Sequence, residues 1–323
     1  MAIFTKLSNK DIKSFFNKYN IPLILEYEPI YQGIQNTNYL IKTKEKKYIL
    51  TIFEDKNISK NLQFFLNLLH HLSEANFCNP SPLKNYEGKD FDIINNKQAA
   101  IFSFIEGEYL KFSRPEHLLL LGEVTAKLHL KTKNFKHKRK NDYSYKYWQI
   151  NTQKLSNYIE EKQPGLTNLI IKDLNTFKNL RYADIPKGII HADLFPDNVL
   201  FKNNRISGVL DYYYSCEDHL IIDLAIIIIS WCFYEDRNEK IKIDKIKIKH
   251  LLKGYNKIKR IKNLELELLH VYCKMYSIRF FLTRMLDAQL SHDPNIVTTK
   301  KPEEFIKKYL YLQNYNIKLN DLI

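Results

Sequence analysis

The stretch GIIHADLFPDNVLFKNNRISGVLDYYY, residues 188–214, decides how the rest of the chain is read. Its β-branched start predicts a short strand over 188–191 that runs into the polar ADLFPDN. VLF then predicts a second strand, NNR a turn, and ISGVLDYY a third strand. Such a hairpin gathers His191, Asp193, Asn198 and Asp211 at strand ends. Phosphoryl transfer to an alcohol needs a carboxylate that orients the hydroxyl and takes its proton, and two oxygen ligands for magnesium on the nucleotide phosphates. Asp193 can be the first, Asn198 and Asp211 the second and third, with His191 read as a brace for the loop. The competing reading is an Asx-rich loop that merely closes a hairpin. HxDxxxxN alone arises in roughly 5% of shuffled sequences of this composition, and an Asp at the one later position, 211, reduces that to roughly 0.3%.

Outward from this stretch the chain divides in two. Between residues 23 and 54 the segments LILEYEPIYQ, TNYLIKT and KYILTIFE alternate with period two and predict three antiparallel strands. Leu62, Phe65, Leu66, Leu69 and Leu72 recur at three- and four-residue steps, so 58–75 is expected to be an amphipathic helix that NPSP at 79–82 stops. Short strands follow near 91–94 and 98–104. Before all of these, 8–19 reads as a helix capped by Ser8 or Asn9. Beyond 109 helices dominate: 115–131 with a Ser113 cap, 147–160, 166–181, 220–234, 244–255, 264–286 and 302–314. A β-rich lobe over 1–104 and a mainly helical lobe over 105–323, joined near 104–109, is therefore expected.

Composition removes other function classes. The formal charge of +14 comes from 42 lysines and eight arginines scattered among Ile, Asn and Tyr, whereas nucleic-acid recognition favours Arg. The one dense basic run, KNFKHKRK at 133–140, offers only Phe135 as a stacking platform. Cysteines 78, 216, 232 and 273 form no CxxC pair and no zinc spacing, which fits a reducing compartment. The run 220–234 is too short to span a bilayer, and the first residues lack the apolar core of a signal peptide, so a cytoplasmic protein is expected. Eight glycines include no GxGxxG and no GxxxxGK[ST], so neither of those phosphate loops is present.

HxDxxxxN with its later Asp resembles the catalytic loop and metal-binding Asp of protein-kinase-like enzymes. Tyr212 and Tyr213 follow Asp211 where protein kinases carry Phe and Gly, a departure that resembles the small-molecule branch related to aminoglycoside and choline kinases. LGEVTAKLHL at 121–130, with His129, and LIIDLAIII, with Asp223, are similar to that branch, and both polar residues are read as structural. GIQNTNY (33–39), YILTIFE (48–54), HADLFPDNVLF (191–201), GVLDYYYSC (208–216), DLAI (223–226) and SIRFFLTRM (277–285) resemble the homoserine kinases built on the aminoglycoside-phosphotransferase fold. The resemblance runs from FTKLS near the start to PEEF near 302.

That resemblance implies an α+β, bilobed protein-kinase-like fold that uses ATP and Mg2+ and takes L-homoserine, a small molecule, with no nucleic-acid or membrane partner. It implies that the turn 33–38 covers the ATP phosphates, with Gly33 allowing close approach and Asn36, Thr37 and Asn38 supplying donors. Thr51 stands where such kinases usually carry a third-strand Lys, which leaves Lys42 as a candidate cation. Backbone amides from Ser103 to Ile105 are expected to meet the adenine. Arg279 and Arg284 are candidates for the substrate carboxylate. Five positions apart on a helix, they point about 140° from each other, so both are not expected to face one ligand, and an ion pair with Asp223 or Glu217 is the alternative for either. Another acceptor on the same fold (choline, an aminoglycoside or methylthioribose) and a non-catalytic or nucleic-acid-binding module are the competing functions.

Overall fold

Alternating burial along the first strands builds a five-stranded antiparallel sheet in the order β1-β2-β3-β5-β4. The computed structural model describes residues 5–31, 36–180, 184–290 and 301–317. The strands are β1 (Ile24–Ile30), β2 (Thr37–Thr43), β3 (Lys47–Ile52), β4 (Asp92–Ile94) and β5 (Lys97–Ser103), with α1 (Asn9–Phe16) ahead of them and α2 (Lys56–Glu74) between β3 and β4. Every second side chain of β2 is buried from Thr37 onward, as a period-two strand requires. One sheet face, carrying Tyr39, Ile41, Leu50, Ile52 and Ile101, packs with Ile12, Phe15 and Phe16 of α1 into a core of its own. The other face, carrying Ala100 and Phe102, joins α2 and the second lobe in the main core. Ser8 is the cap of α1, in a reciprocal capping box with Asp11.

The second lobe comprises α3 (Pro115–Lys131), α4 (Tyr145–Lys154), α5 (Ser156–Lys162), α6 (Leu166–Leu180), β6 (Lys187–Ile190), β7 (Val199–Lys202), β8 (Arg205–Val209), β9 (Cys216–His219), α7 (Ile221–Trp231), β10 (Phe233–Glu235), β11 (Ile241–Ile243), α8 (Lys245–Ile258), α9 (Asn263–Leu290) and α10 (Glu303–Asn314). β7 and β8 form the expected hairpin. Helix α7 is enclosed and apolar apart from Asp223 and Ser230, and its Trp231 indole donates to the Leu194 carbonyl at 2.9 Å, so the helix holds the loop after β6 from below.

Several elements depart from the sequence expectations. The helix expected over 147–160 is two, α4 and α5, broken at Leu155, and Leu155 and Ile159 are both buried. The helix expected to reach residue 234 ends at Trp231, because Phe233–Glu235 pairs with Ile241–Ile243. β9, antiparallel to β6, was also not expected. Ser113 does not cap α3: Arg114 holds the cap position, its backbone N–H bonds His117 Nδ1 at 3.1 Å, and Ser113 Oγ instead accepts from Lys247.

Two of the few glycines set a helix crossing. A Cβ at Gly122 of α3 would lie 2.1 Å from the Leu251 carbonyl oxygen of α8, and one at Gly254 of α8 would lie 2.0 Å from the Leu119 carbonyl oxygen of α3. Only glycine permits so close a backbone approach. It brings His129, on α3, within hydrogen-bond reach of Tyr255, on α8.

Candidate active site

β6 delivers its last residues into a turn that the chain would not adopt unaided. Ala192 sits at φ +65° and Asp211 at φ +60°, a region that costs a non-glycine residue about 1–2 kcal/mol. Asp223 holds the first of these in place. Its carboxylate accepts the backbone N–H groups of His191 (2.9 Å) and Ala192 (2.8 Å) and bonds His129 Nε2 (2.9 Å), while His129 Nδ1 bonds the Tyr255 hydroxyl at 2.8 Å. The side chains of His129 and Asp223 are fully buried. Asp223→Ala leaves two backbone donors and a histidine unpaired in the interior and is expected to cost about 3–5 kcal/mol. Urea unfolding of the purified variant measures this directly.

His191 braces the loop from the other side. Its Nε2 reaches the Leu210 carbonyl at 2.9 Å and its Nδ1 faces the Asp193 N–H at 3.3 Å, which assigns the proton to Nε2. Burial lowers its pKa, against the opposing pull of Asp223 and Asp193, so the ring is a neutral strut. It ties the residue before Asp211 to the backbone N–H of Asp193 itself.

Asp193 and Asn198 are bonded to each other. Asn198 Nδ2 donates to the Asp193 carbonyl at 2.7 Å and to its carboxylate at 2.9 Å, and the Leu210 N–H donates to the Asn198 carbonyl at 2.9 Å. With the amide nitrogen committed, Asn198 has its side-chain oxygen left to offer. Together with the Asp211 carboxylate this makes a pair of hard oxygen donors, which suits a magnesium ion that completes its shell with phosphate and water. Among the described residues no group of three or more His, Cys, Asp or Glu could hold a metal alone.

Arg279, on α9, is 2% exposed, and its Nη1 lies 3.8 Å from the Asp193 carboxylate. Its guanidinium sits 4.8 Å from the Tyr143 ring, 5.0 Å from Tyr214 and 3.9 Å from Phe280, an arrangement that holds a buried cation through ring quadrupoles. Its Nε is buried with no hydrogen-bond partner. Arg284 faces elsewhere. It donates to Glu304 at 2.6 Å and to the Lys301 carbonyl at 3.0 Å and stacks on Phe305, so it ties α9 to α10. The 140° between the two arginines is thus realised as two environments, and neither pairs with Asp223 or Glu217.

The first lobe places its candidates less uniformly. Gly33 lies outside the described residues. Thr37 is turned into the sheet: its hydroxyl donates to Glu54 at 2.7 Å and accepts the Thr5 N–H at 3.2 Å, and Lys97 bonds the same carboxylate. Strand parity decides this, since Thr37 shares its face with Tyr39 and Ile41. Asn36 accepts the Glu54 N–H at a long 3.4 Å. Asn38, on the opposite face, accepts from the Thr51 hydroxyl at 2.8 Å, and its amide nitrogen remains to donate. Thr51 also bonds Tyr213, so where a lysine usually stands the lobes are joined by a neutral chain of Asn38, Thr51 and Tyr213. Lys42 does not replace that lysine. It is held by Glu26 and Glu28 at 3.2 and 3.0 Å, four residues, or about 13 Å, along β2 from Asn38.

At the joint, the Ser103 N–H is already donated to the Ser81 carbonyl at 2.9 Å and the Phe104 N–H to the Lys47 carbonyl at 3.4 Å. Ser103 therefore has no amide to offer a base, and Ile105 is the member of that trio whose amide stays available among the described residues. The sequence reading missed Tyr143, Tyr147, Tyr214 and Tyr213. In a chain with 22 tyrosines no spacing marks these four.

The match to known proteins agrees with this geometry. The model of a phosphotransferase enzyme family matches residues 26–243, a span that includes most of β1, all of β2 and β3, and Asp193, Asn198 and Asp211. The chain belongs to this phosphotransferase family. Among its relatives, a homoserine kinase of Rhizobium meliloti (strain 1021) is 34% identical over 95% of this chain and 93% of its own, and a homoserine kinase of Parvibaculum lavamentivorans is 33% identical over 95% of each. The fold is that of the aminoglycoside phosphotransferases. An amicoumacin kinase solved with AMP-PNP, Ca2+ and Ami superposes with a TM-score of 0.70 at 15% identity, covering 95% of this chain and 94% of that one. Choline kinase LicA from Streptococcus pneumoniae gives 0.63 at 17% identity, covering 94% and 97%.

Proposed function

We propose that the chain transfers the γ-phosphate of ATP to the side-chain hydroxyl of L-homoserine, giving O-phospho-L-homoserine for threonine biosynthesis. The observation that carries the reading is the pairing of Asp193 with a buried arginine, Arg279. A carboxylate beside the acceptor oxygen fits any kinase of this fold, but a guanidinium in the same pocket fits an acceptor that bears a carboxylate and repels a cationic one. The homoserine kinase names of relatives matched along nearly the whole chain support the same acceptor. Choline and the aminoglycosides are cations and would meet Arg279 with like charge.

In this reading Asp193 orients the hydroxyl and accepts its proton. The Asn198 amide fixes the carboxylate rotamer, and the Asp223 and His191 contacts fix the loop on which both sit, so positioning precedes substrate arrival. Asn198 and Asp211 would hold magnesium, which supplies charge neutralisation on the phosphates. Asn36 and Asn38 would cover those phosphates, and the Ile105 amide would meet the base. Arg279 would bind the substrate carboxylate.

A polyanion-binding role draws no support from the basic run. Arg139 is committed inward, to the Ser215 carbonyl, to Asp142 and to the Phe65 ring, and Phe135 packs on Phe64 and His71. Among the described residues no helix is long and apolar enough to cross a membrane. The reading is tested by initial rates of ADP formation with ATP and magnesium, with and without L-homoserine. Homoserine-dependent turnover is expected, and rates that do not respond to homoserine would overturn it.

A further inference from the structure

We propose that Asp287 receives the α-ammonium group of the acceptor, at the outer end of a stripe on α9 whose inner end is Arg279. The inference rests on the homoserine reading and extends it to the second charge of the amino-acid head group.

Arg279, Thr283 and Asp287 stand at i, i+4 and i+8 and so share one face of α9. Exposure along that face grades from buried Arg279 through half-buried Thr283 to exposed Asp287. The wall opposite is aromatic. Tyr143 and Tyr147 meet edge to face at 5.0 Å, Tyr147 hydrogen-bonds Thr283, and both tyrosines feel the charges of Arg279 and Asp287. The charged groups that face Asp287 are Arg279 and Arg284 on its own helix and Asp55 at the start of α2.

Neither arginine satisfies it. Arg279 is turned to Asp193 and Arg284 to Glu304, and Asp287 makes no ion pair or hydrogen bond among the described residues. Asp55 is less suited to a ligand, because its carboxylate already accepts the Asn57 N–H at 2.6 Å as the cap of α2. The buried, partnerless Nε of Arg279 is the independent sign that the inner end awaits an anion.

The spacing fits an α-amino acid. The Cα atoms of Arg279 and Asp287 are about 12 Å apart along the helix, and the side chains are close enough for the Arg279 charge to act on the Asp287 carboxyl. A carboxylate and an ammonium on one carbon, with a hydrogen bond of about 2.8 Å at each end, bridge about 8–9 Å. The hydroxyl, two carbons beyond that head group, is then directed to Asp193.

Although its side chain reaches solvent, partial desolvation by the surrounding protein raises the pKa of Asp287, with Arg279 and Arg284 partly opposing. A raised carboxyl becomes neutral at a higher pH than an ordinary one, so the homoserine KM is expected to rise on acidification before ordinary carboxylates titrate.

The experiment compares L-homoserine with 4-hydroxybutanoate, which lacks only the ammonium, for wild type, Asp287→Asn and Asp55→Asn. In Asp287→Asn the homoserine KM is expected to rise at least about tenfold, with the kcat/KM preference for homoserine falling by the same factor, a loss of the size expected for a partly screened charge pair. The KM for ATP stays unchanged and the acid-side rise in homoserine KM disappears. An unchanged preference in Asp287→Asn, or a loss seen in Asp55→Asn instead, overturns the role of Asp287 while leaving the homoserine reading intact. A wild type that ignores homoserine overturns both.

Discussion

Asp193→Ala is expected to remove turnover while leaving a folded protein. Its carboxylate bonds Asn198 and faces Arg279, and loss of a positioned base costs about 10²–10⁴-fold in rate, equivalent to about 3–5 kcal/mol of barrier. The fold survives because the loop does not hang on this side chain. Asn198 keeps its 2.7 Å bond to the residue 193 carbonyl, and Asp223 keeps both backbone N–H groups at 191 and 192. The expected result is kcat reduced by about three orders of magnitude, a KM for ATP close to wild type and an unfolding midpoint little changed. Single-turnover kinetics beside a urea titration measure all three, and near-wild-type kcat would sink the assignment.

Asp211→Asn is expected to be equally damaging for a different reason. Asp211 is at φ +60°, where Asn is tolerated and Ala is strained by about 1 kcal/mol, so the Asn variant separates charge from backbone. Its neighbour Leu210 is fixed twice, by its N–H to Asn198 and its carbonyl to His191. The substitution therefore removes a negative oxygen donor without moving the loop. Activity should fall about 10³-fold and be partly restored at high magnesium concentration, since a hard cation loses its anionic ligand. A wild-type magnesium dependence in the variant would show that Asp211 does not serve the metal.

The juxtaposition of Asp193 with Asn198 around the β7–β8 hairpin was legible in the sequence because it is carried by residue types at fixed spacing. The central sheet was legible because period-two alternation is a direct image of strand geometry. The donor set Asn36, Thr37 and Asn38 was misjudged for a related reason. Strand parity sends Thr37 to the face of Tyr39 and Ile41 and leaves Asn38 on the other, so three consecutive residues cannot all face one ligand. Lys42 failed for the same kind of cause, distance along a strand and two glutamates on the neighbouring β1. The strands β9, β10 and β11 are three or four residues long, too short for a period to register. Tyr143 and Tyr147 come from a segment about 50 residues ahead of the loop, and only tertiary packing joins them to Arg279. Arg279 and Arg284 were separable in angle but not in role until the partners of each were seen.

The central claim, an ATP-dependent kinase whose buried arginine selects a carboxylate-bearing alcohol, is tested most directly by one competition. Purified protein with ATP and magnesium is given an equimolar mixture of L-homoserine, choline, methylthioribose and an aminoglycoside, and the phosphorylated products are identified by phosphorus NMR. O-Phosphohomoserine as the dominant product, lost in Asp193→Ala, is the result predicted. Phosphorylation of choline or the aminoglycoside in preference to homoserine would contradict it.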